Sequence, residues 1–409
     1  MPEVSLIVAI YNLEKYIEKC LDSVLRQTFR DYEVICVNDG STDKTLEILN
    51  DYAKKDSRIR VITQKNQGSG AARNTGFKAS KGKYIQFLDG DDYFEPEMVE
   101  KLYNLITEND ADIAVCSSRK VDDKGNITES GNPVSPINIS KLPFGKTFSY
   151  KDFPEDFFDL MGTMPWNKMY KKTIIVENSL SFPKLTGPDD LTFVFMAQAC
   201  AKRICAIKDE LINYRFNRPD SVFTYRADFA SDIIRASLIV QDFLMKTGKF
   251  EYLKTAYFNA FISAIRWETS LCNNEQYLSF LEDLKKIRPD DWEIFKPALR
   301  KDYITAEYLK KFIGNKKVFL WGASNFIKEV LAKEKSHNPN ILGIIDGNSA
   351  LWDKSLQEYK IYSEDILNKI KPDGILLTVF NKSETVYPQL KEKLAKEHPA
   401  IELLPNIFE

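Results

Sequence analysis

The chain has 409 residues, 44% hydrophobic and 28% charged, which is enough for two or three separately cored domains. A net charge of −2 gives no whole-molecule case for a nucleic-acid partner, and no stretch approaches the roughly 20 apolar residues of a membrane span. The two histidines, His337 and His398, lie near the C-terminus, so a general base in the first three hundred residues is expected to be a carboxylate.

"VSLIVAI" (Val4 to Ile10) is a near-continuous apolar run, the pattern of a strand buried on both faces. It is too short for a signal peptide, so a soluble or at most peripheral protein is expected. Tyr16, Ile17, Cys20, Leu21, Val24 and Leu25 then recur at helical spacing. "YEVICVND", a helix from about Asp43 to Tyr52, "RIRVITQ", a helix near Ala71 to Ala79 and the strand "KYIQFLD" continue the alternation. This order predicts a parallel sheet with helices on both faces and ligands beyond the carboxyl ends of the strands. The clusters "YN", "NDGSTD" and "LDGDD" all fall at such ends. After the strand "ADIAVCSS", residues from Val121 to about Lys151 read as a long loop, and Phe229 to Phe312 as helices. From Asn315 the alternation resumes as "KKVFLWG", helix, "ILGIID", helix, "GILLTVF", helix, "IELL". The six cysteines show no CxxC spacing and read as reduced core thiols.

"FLDGDDYF" places Asp89, Asp91 and Asp92 within four positions. Carboxylates at a strand end suit Mn²⁺ or Mg²⁺, which takes one or two of them while phosphate oxygens and water complete the shell. The competing reading is a solvated turn that caps the helix opening near Pro96. Gly90 relieves backbone crowding in either case.

"VSLIVAIYN", "VNDGSTD", "NQGSGAARNTG" and "FLDGDD", in this order, resemble the family 2 glycosyltransferases, nucleotide-diphospho-sugar enzymes of the GT-A fold. The similarity covers roughly residues 3 to 225. It implies that Ala9, Tyr11 and Asn12 border the nucleoside, that Asp39 accepts a hydrogen bond from uracil, and that Arg73 lies near the donor. Asp89 and Gly90 would adjoin the ribose, and Asp91, with Asp92, would hold the metal at the diphosphate of a UDP-sugar. "MPWNKMYKKTII" resembles a segment bordering the acceptor, through Trp166, Asn167 and Lys168. "TGPDDLTFVFMAQ" resembles a Glu-Asp-x-x-Phe motif, with Asp189 at the Glu, Asp190 at the base and Phe193 at the aromatic; Pro188 replaces a frequent Gly. Pairing the two acids raises a carboxylate's proton affinity; the plainer reading is a helix cap. Arg215, Arg218 and Ser221, in "NYRFNRPDSVF", would face the diphosphate or the acceptor.

The resemblance implies an inverting transferase acting on a glycan or lipid-linked acceptor, of the kind that builds bacterial surface polysaccharides on the cytoplasmic side of the membrane. The alternatives are a sugar nucleotidyltransferase, whose Gly-rich basic opening loop "VAIYNLEKY" does not match, and a non-catalytic nucleotide-sugar-binding module, which has no need of Asp190. The expected layout is a catalytic GT-A domain over residues 1–225, a helical region over 226–314 and a small Rossmann-like α/β domain over 315–409. "ALRKDYITAEYLKKFIGNKK" reads as an ordinary amphipathic helix, with contact to an anionic membrane surface as the alternative. In the last domain Gly322 survives from a dinucleotide fingerprint while Ser324 and Ile327 fill the other glycine places. Although Asp346 ends the next strand, this domain is expected to bind no dinucleotide and to serve acceptor placement or self-association, with a mononucleotide or sugar ligand as the alternative.

Overall fold

The computed structural model describes all residues except 123–124, 130–140, 217–226, 228, 271, 296–298, 300–308, 310–311, 324–326, 328–330, 332–337, 339, 379–382 and 405–409. Arg218, Ser221, Ser324 and most of the stretch from Ala298 to Lys317 therefore lie outside the described residues. The chain forms two compact units, Met1–Leu299 and Arg300–Glu409.

The first unit is built on a mixed sheet. Its strands are β1 (Val4–Ile10), β2 (Tyr32–Asn38), β3 (Ile59–Thr63), β4 (Tyr84–Asp89), β5 (Tyr93–Phe94), β6 (Ile113–Val121), β7 (Ile127–Glu129), β8 (Lys168–Lys171) and β9 (Ile204–Arg215). They lie in the order β3-β2-β1-β4-β8-β6-β9-β5, with β7 paired to β6. The first four are mutually parallel, whereas β8 runs antiparallel to both neighbours. The strand from "ADIAVCSS" is thus separated from β4 by an inserted strand.

Helices α1 (Ile17–Leu25), α2 (Thr45–Lys55), α3 (Ser69–Ala79) and α4 (Met98–Glu108) cross between these strands. Strand β1 is buried on both faces, and its alternation sorts the helices. Val4, Leu6, Val8 and Ile10 share a core with Ile17, Leu21 and Val24 of α1, Leu49 of α2 and Leu102 of α4. Ile7 turns the other way, against α3. A Cβ on Gly76 would lie 2.3 Å from Ile7 Cγ2 and 3.2 Å from Val37 Cγ2, so α3 sits this close to the sheet because residue 76 has no side chain.

After α5 (Lys172–Glu177), α6 (Asp189–Cys200) is buried along most of its length. It is followed by α7 (Asp232–Lys246), α8 (Phe250–Thr269), α9 (Asn274–Ile287) and the short α10 (Trp292–Phe295), which form the expected helical region. Helix α9 opens on a capping box between Asn273 and Gln276. Among the described residues no helix is long and apolar enough to cross a membrane. All six cysteines are free, and five are buried.

The second unit holds β10 (Val318–Trp321), β11 (Ile341–Ile345), β12 (Ser355–Leu356), β13 (Tyr359–Tyr362), β14 (Gly374–Leu377) and β15 (Glu402–Leu403) in the order β12-β13-β11-β10-β14-β15. Every pairing is parallel except the β12–β13 hairpin. The hairpin stands in the stretch expected to be a helix. Its period is two: Tyr359 and Ile361 are buried while Lys360 is exposed, and Gln357 turns the chain at φ 55°.

Candidate active site

In the order β3-β2-β1-β4 the chain first winds away from β1 to one side and then returns on the other, so a crevice opens at the carboxyl ends of β1 and β4. Ala9 pairs with Asp89 across that boundary and with Val37 on the other side. The loops beyond β1 and β2 are laced together. Asn12, in a left-handed conformation at φ 51°, receives a hydrogen bond from the Thr42 N–H at 2.8 Å and donates its own N–H to Ser41 Oγ at 2.9 Å. Tyr11 stands exposed beside them, at 46%.

Asp39 is buried, and both its oxygens are taken. Oδ1 accepts from Gln64 Nε2 at 2.8 Å, and Oδ2 accepts from the backbone N–H of Gly68 at 2.8 Å. Gln67 N–H reaches both oxygens. Its carboxylate thus holds the loop that enters α3. Gly40, next in sequence, takes φ +77°, and a Cβ there would sit 2.8 Å from Asn66 N, so a side chain would force this loop away.

Arg73, in the first turns of α3, organises the centre. Its side chain is 3% exposed, and its guanidinium contacts Asp89 Oδ1 at 2.6 Å, Asp190 Oδ1 at 2.5 Å and Asp189 Oδ2 at 3.6 Å. Asp189 and Asp190 open α6, where the N-terminal dipole favours negative charge. Asp189 also accepts from Ser69 Oγ at 3.2 Å. One cation therefore serves three carboxylates drawn from two distant segments. Burial pushes Asp189 up to about 6 against the pull of Arg73. Burial likewise holds Asp190 well above the usual carboxylate range, with Arg73 opposing and Asp189 and Asp89 reinforcing the rise. Burial works against the charge on Arg73 itself, but Asp190, Asp89 and Asp189 outweigh it and raise its proton affinity. Asp190 keeps 19% of its side chain exposed where Asp189 keeps 4%. Asp190 is the member of the pair that a ligand can reach.

The three acids of "LDGDD" have different surroundings. Asp89 is engaged by Arg73. Asp92 is buried; its Oδ1 accepts from the Arg215 N–H at 2.9 Å, and its Oδ2 has no hydrogen-bond partner. Burial and the charges of Asp91 and Asp89 raise its proton affinity sharply. Asp91 is half-buried, and its carbonyl accepts from Arg215 Nε at 2.7 Å. Arg215 also lies 5.3 Å from the ring centroids of Tyr16 and Tyr93. Two neighbouring carboxyl groups, one with a buried oxygen unmet and its proton held only for want of a cation, fit a hard divalent ion. A Cβ on Gly90 would meet Leu13, Ile10 and Ile17, so this turn owes its glycine to the core beneath it.

The "WNK" segment is interior. Trp166 is 1% exposed and stacks on Tyr214 with centroids 5.6 Å apart. Asn167 donates to the Cys116 carbonyl at 3.1 Å. Lys168 is fully buried: its Nζ donates to the carbonyls of Met161, Gly162 and Met164 and to Asn167 Oδ1, all within 3.1 Å. Burial brings its pKa down to about 7. Asp189 and the Ser69–Arg73 connection were not legible as one unit in the sequence, because Arg73 and Asp190 are 117 residues apart.

Acids gathered around a shared arginine at the strand ends of a buried sheet form a polar crevice, and the comparisons with known proteins give its family. A model described as "Glycosyl transferase family 2" matches residues 5–177, and one described as "C2185-like, N-terminal" matches residues 314–399. EpsH of Bacillus subtilis, which carries a glycosyltransferase's name, is 33% identical over 260 residues, covering 61% of this chain and 71% of EpsH. The poly(ribitol-phosphate) beta-glucosyltransferase of Bacillus spizizenii is 34% identical over 215 residues, covering 51% of this chain but only 31% of that longer protein. A crystal structure of S. aureus TarS residues 1–349 with UDP-GlcNAc aligns over 73% of this chain and 90% of its own, at TM-score 0.47 and 23% identity, too loose a likeness to build on. The chain belongs to glycosyltransferase family 2.

Proposed function

We propose that the chain transfers a sugar, with inversion, from a nucleoside-diphosphate donor to a hydroxyl of a glycan or lipid-linked acceptor. The donor is a UDP-sugar, and the product is a bacterial surface polysaccharide made at the cytoplasmic face of the membrane. The observation that carries this reading is the contact of one buried arginine, Arg73, with both Asp89 at the strand-end crevice and Asp190 at the start of α6. It joins the donor side to a carboxylate with raised proton affinity. The named activity of the poly(ribitol-phosphate) beta-glucosyltransferase supports a surface-polymer acceptor.

Asp190 acts as the general base. Arg73 holds its Oδ1, which fixes the carboxylate plane, and burial raises its affinity for the incoming proton. As the acceptor hydroxyl attacks the anomeric carbon from the face opposite the diphosphate, its proton passes to Asp190. Asp189, turned toward Ser69 and Arg73 and 4% exposed, steadies the guanidinium. Arg73 keeps its charge throughout and limits the repulsion among the acids. A divalent cation, Mn²⁺ or Mg²⁺, held by Asp91 and Asp92, would neutralise charge on the departing diphosphate.

The test is nucleoside-diphosphate release from UDP-glucose, UDP-N-acetylglucosamine, UDP-galactose and GDP-mannose, with Mn²⁺ and with EDTA. Release that needs the metal supports the proposal. Pyrophosphate release from a nucleoside triphosphate and a sugar phosphate would replace it with nucleotidyl transfer.

A further inference from the structure

Two buried polar atoms, one on Arg73 itself and one on Tyr170, have no hydrogen bond to account for them. Tyr170 is fully buried in β8, and its hydroxyl has no partner; Arg73 Nε, also buried, has none. Asp190 uses Oδ1 for Arg73 Nη1, and no hydrogen bond to its Oδ2 is formed among the described residues. Buried donors and acceptors left unmade are rare and costly, so two in one neighbourhood, beside a carboxylate oxygen still open to a partner, need a common explanation.

The fold brings them together. Tyr170 pairs with Ile85 of β4, so it projects from the same sheet face as Ile85, Phe87 and Asp89, the face that α3 covers. Its ring meets Phe87 and Phe193 edge-on, with centroids 6.0 and 5.5 Å away. Phe193 lies one turn beyond Asp190 and stacks at 4.1 Å on Phe182, over which the Arg73 guanidinium sits at 5.3 Å. The phenol therefore stands inside the aromatic frame that carries both Arg73 and Asp190. Its ionisation responds to both: after burial, the charge of Asp190 is the next cause raising its pKa, and Arg73 opposes it.

We infer that Tyr170 is a positioning residue for the general base, acting through one buried water that accepts from Arg73 Nε, pairs with the Tyr170 hydroxyl and donates to Asp190 Oδ2. Such a water has the two to four polar partners that an internal water requires. It fixes the second oxygen of Asp190 while Arg73 fixes the first, and it is displaced or redirected when the acceptor hydroxyl arrives. The "WNK-Y" segment then serves the reaction from below the base. The inference rests on Asp190 being the base.

Two measurements test it. A high-resolution crystal structure of the full chain should show one ordered water within hydrogen-bond distance of both Arg73 Nε and Tyr170 Oη; dry, well-defined density between them overturns the inference, whatever the donor proves to be. Tyr170→Phe keeps the ring contacts and removes only the oxygen. It should lower kcat about tenfold on whichever of the four nucleotide sugars above is turned over, with the donor KM unchanged, because the water that holds the base loses one of its partners. A hydroxyl merely stranded in an apolar core would give the opposite pattern: full kcat and an unchanged or higher unfolding temperature. Asp190→Asn, measured alongside, separates the two failures. If that variant keeps its turnover, the base assignment falls; if it is inactive while Tyr170→Phe is normal, only the water and the role of Tyr170 fall.

Discussion

Replacing Arg73 by Met removes the one cation shared by Asp89, Asp189 and Asp190 while keeping much of the side-chain volume. The guanidinium makes two contacts at 2.6 and 2.5 Å and a third at 3.6 Å from a side chain only 3% exposed. Breaking a buried pair by removing one partner costs about 3–5 kcal/mol, since the other charges stay buried. On an m-value of about 3 kcal/mol/M, that moves the urea midpoint of the first unit down by about 1–1.7 M. The pH dependence gives a sharper signature. Burial already holds Asp189 at about 6, above its unfolded value of about 3.9. The folded chain therefore binds protons that the unfolded chain does not: the stabilisation is complete below about pH 4 and is lost as pH rises through about 6. Without Arg73 the folded-state values rise further, so the variant's deficit is largest near pH 7.5 and shrinks toward pH 5. Trp166, buried against Tyr214 in this unit, contributes to the fluorescence that follows the transition. An unchanged midpoint at pH 7.5, or a deficit that stays constant on acidification, would refute the three-acid hub.

Gly76→Ala places a methyl 2.3 Å from Ile7 Cγ2 and should cost about 1–3 kcal/mol by overpacking, read as a lower unfolding temperature with the site chemistry unaltered. Asp91→Asn should weaken Mn²⁺-dependent nucleoside-diphosphate binding and abolish transfer while leaving the unfolding midpoint in place; full activity, or wild-type turnover undiminished by EDTA, contradicts the metal assignment. In the second unit Asp346 accepts from the N–H groups of Ala323 and Asn348, at 2.7 and 2.8 Å, one to each oxygen. Both carboxylate oxygens are thus engaged in holding their own loops, and calorimetric titration of the full chain with NAD should give no binding heat at micromolar concentrations.

The sheet was legible because its central strands are mostly apolar on both faces. Val4–Ile10 reads as doubly buried and is, and the spacing of Ile17, Leu21 and Val24 marks the face that α1 buries. Strand β8 was not legible: "NKMYKK" looks polar, yet Lys168 lies in the interior because backbone carbonyls, which carry no sequence signature, receive its ammonium. The hairpin of β12 and β13 was hidden by its brevity. At the site, residue types were readable but their division of labour was not. Asp89, Asp91 and Asp92 look equivalent in "LDGDD", and what separates them is Arg73, 16 residues before Asp89, and Arg215, 123 after Asp92. Asp189 and Asp190 likewise differ by which way the first turn of α6 faces.

The most direct test of the central claim compares Asp190→Asn with wild type in two assays on the same preparation: calorimetric binding of UDP with Mn²⁺, and nucleoside-diphosphate release from the donor that wild type accepts. The substitution removes a proton acceptor and almost no volume. The account predicts UDP binding within about twofold of wild type and turnover lower by about a hundredfold or more. Turnover near the wild-type rate in Asp190→Asn would contradict it.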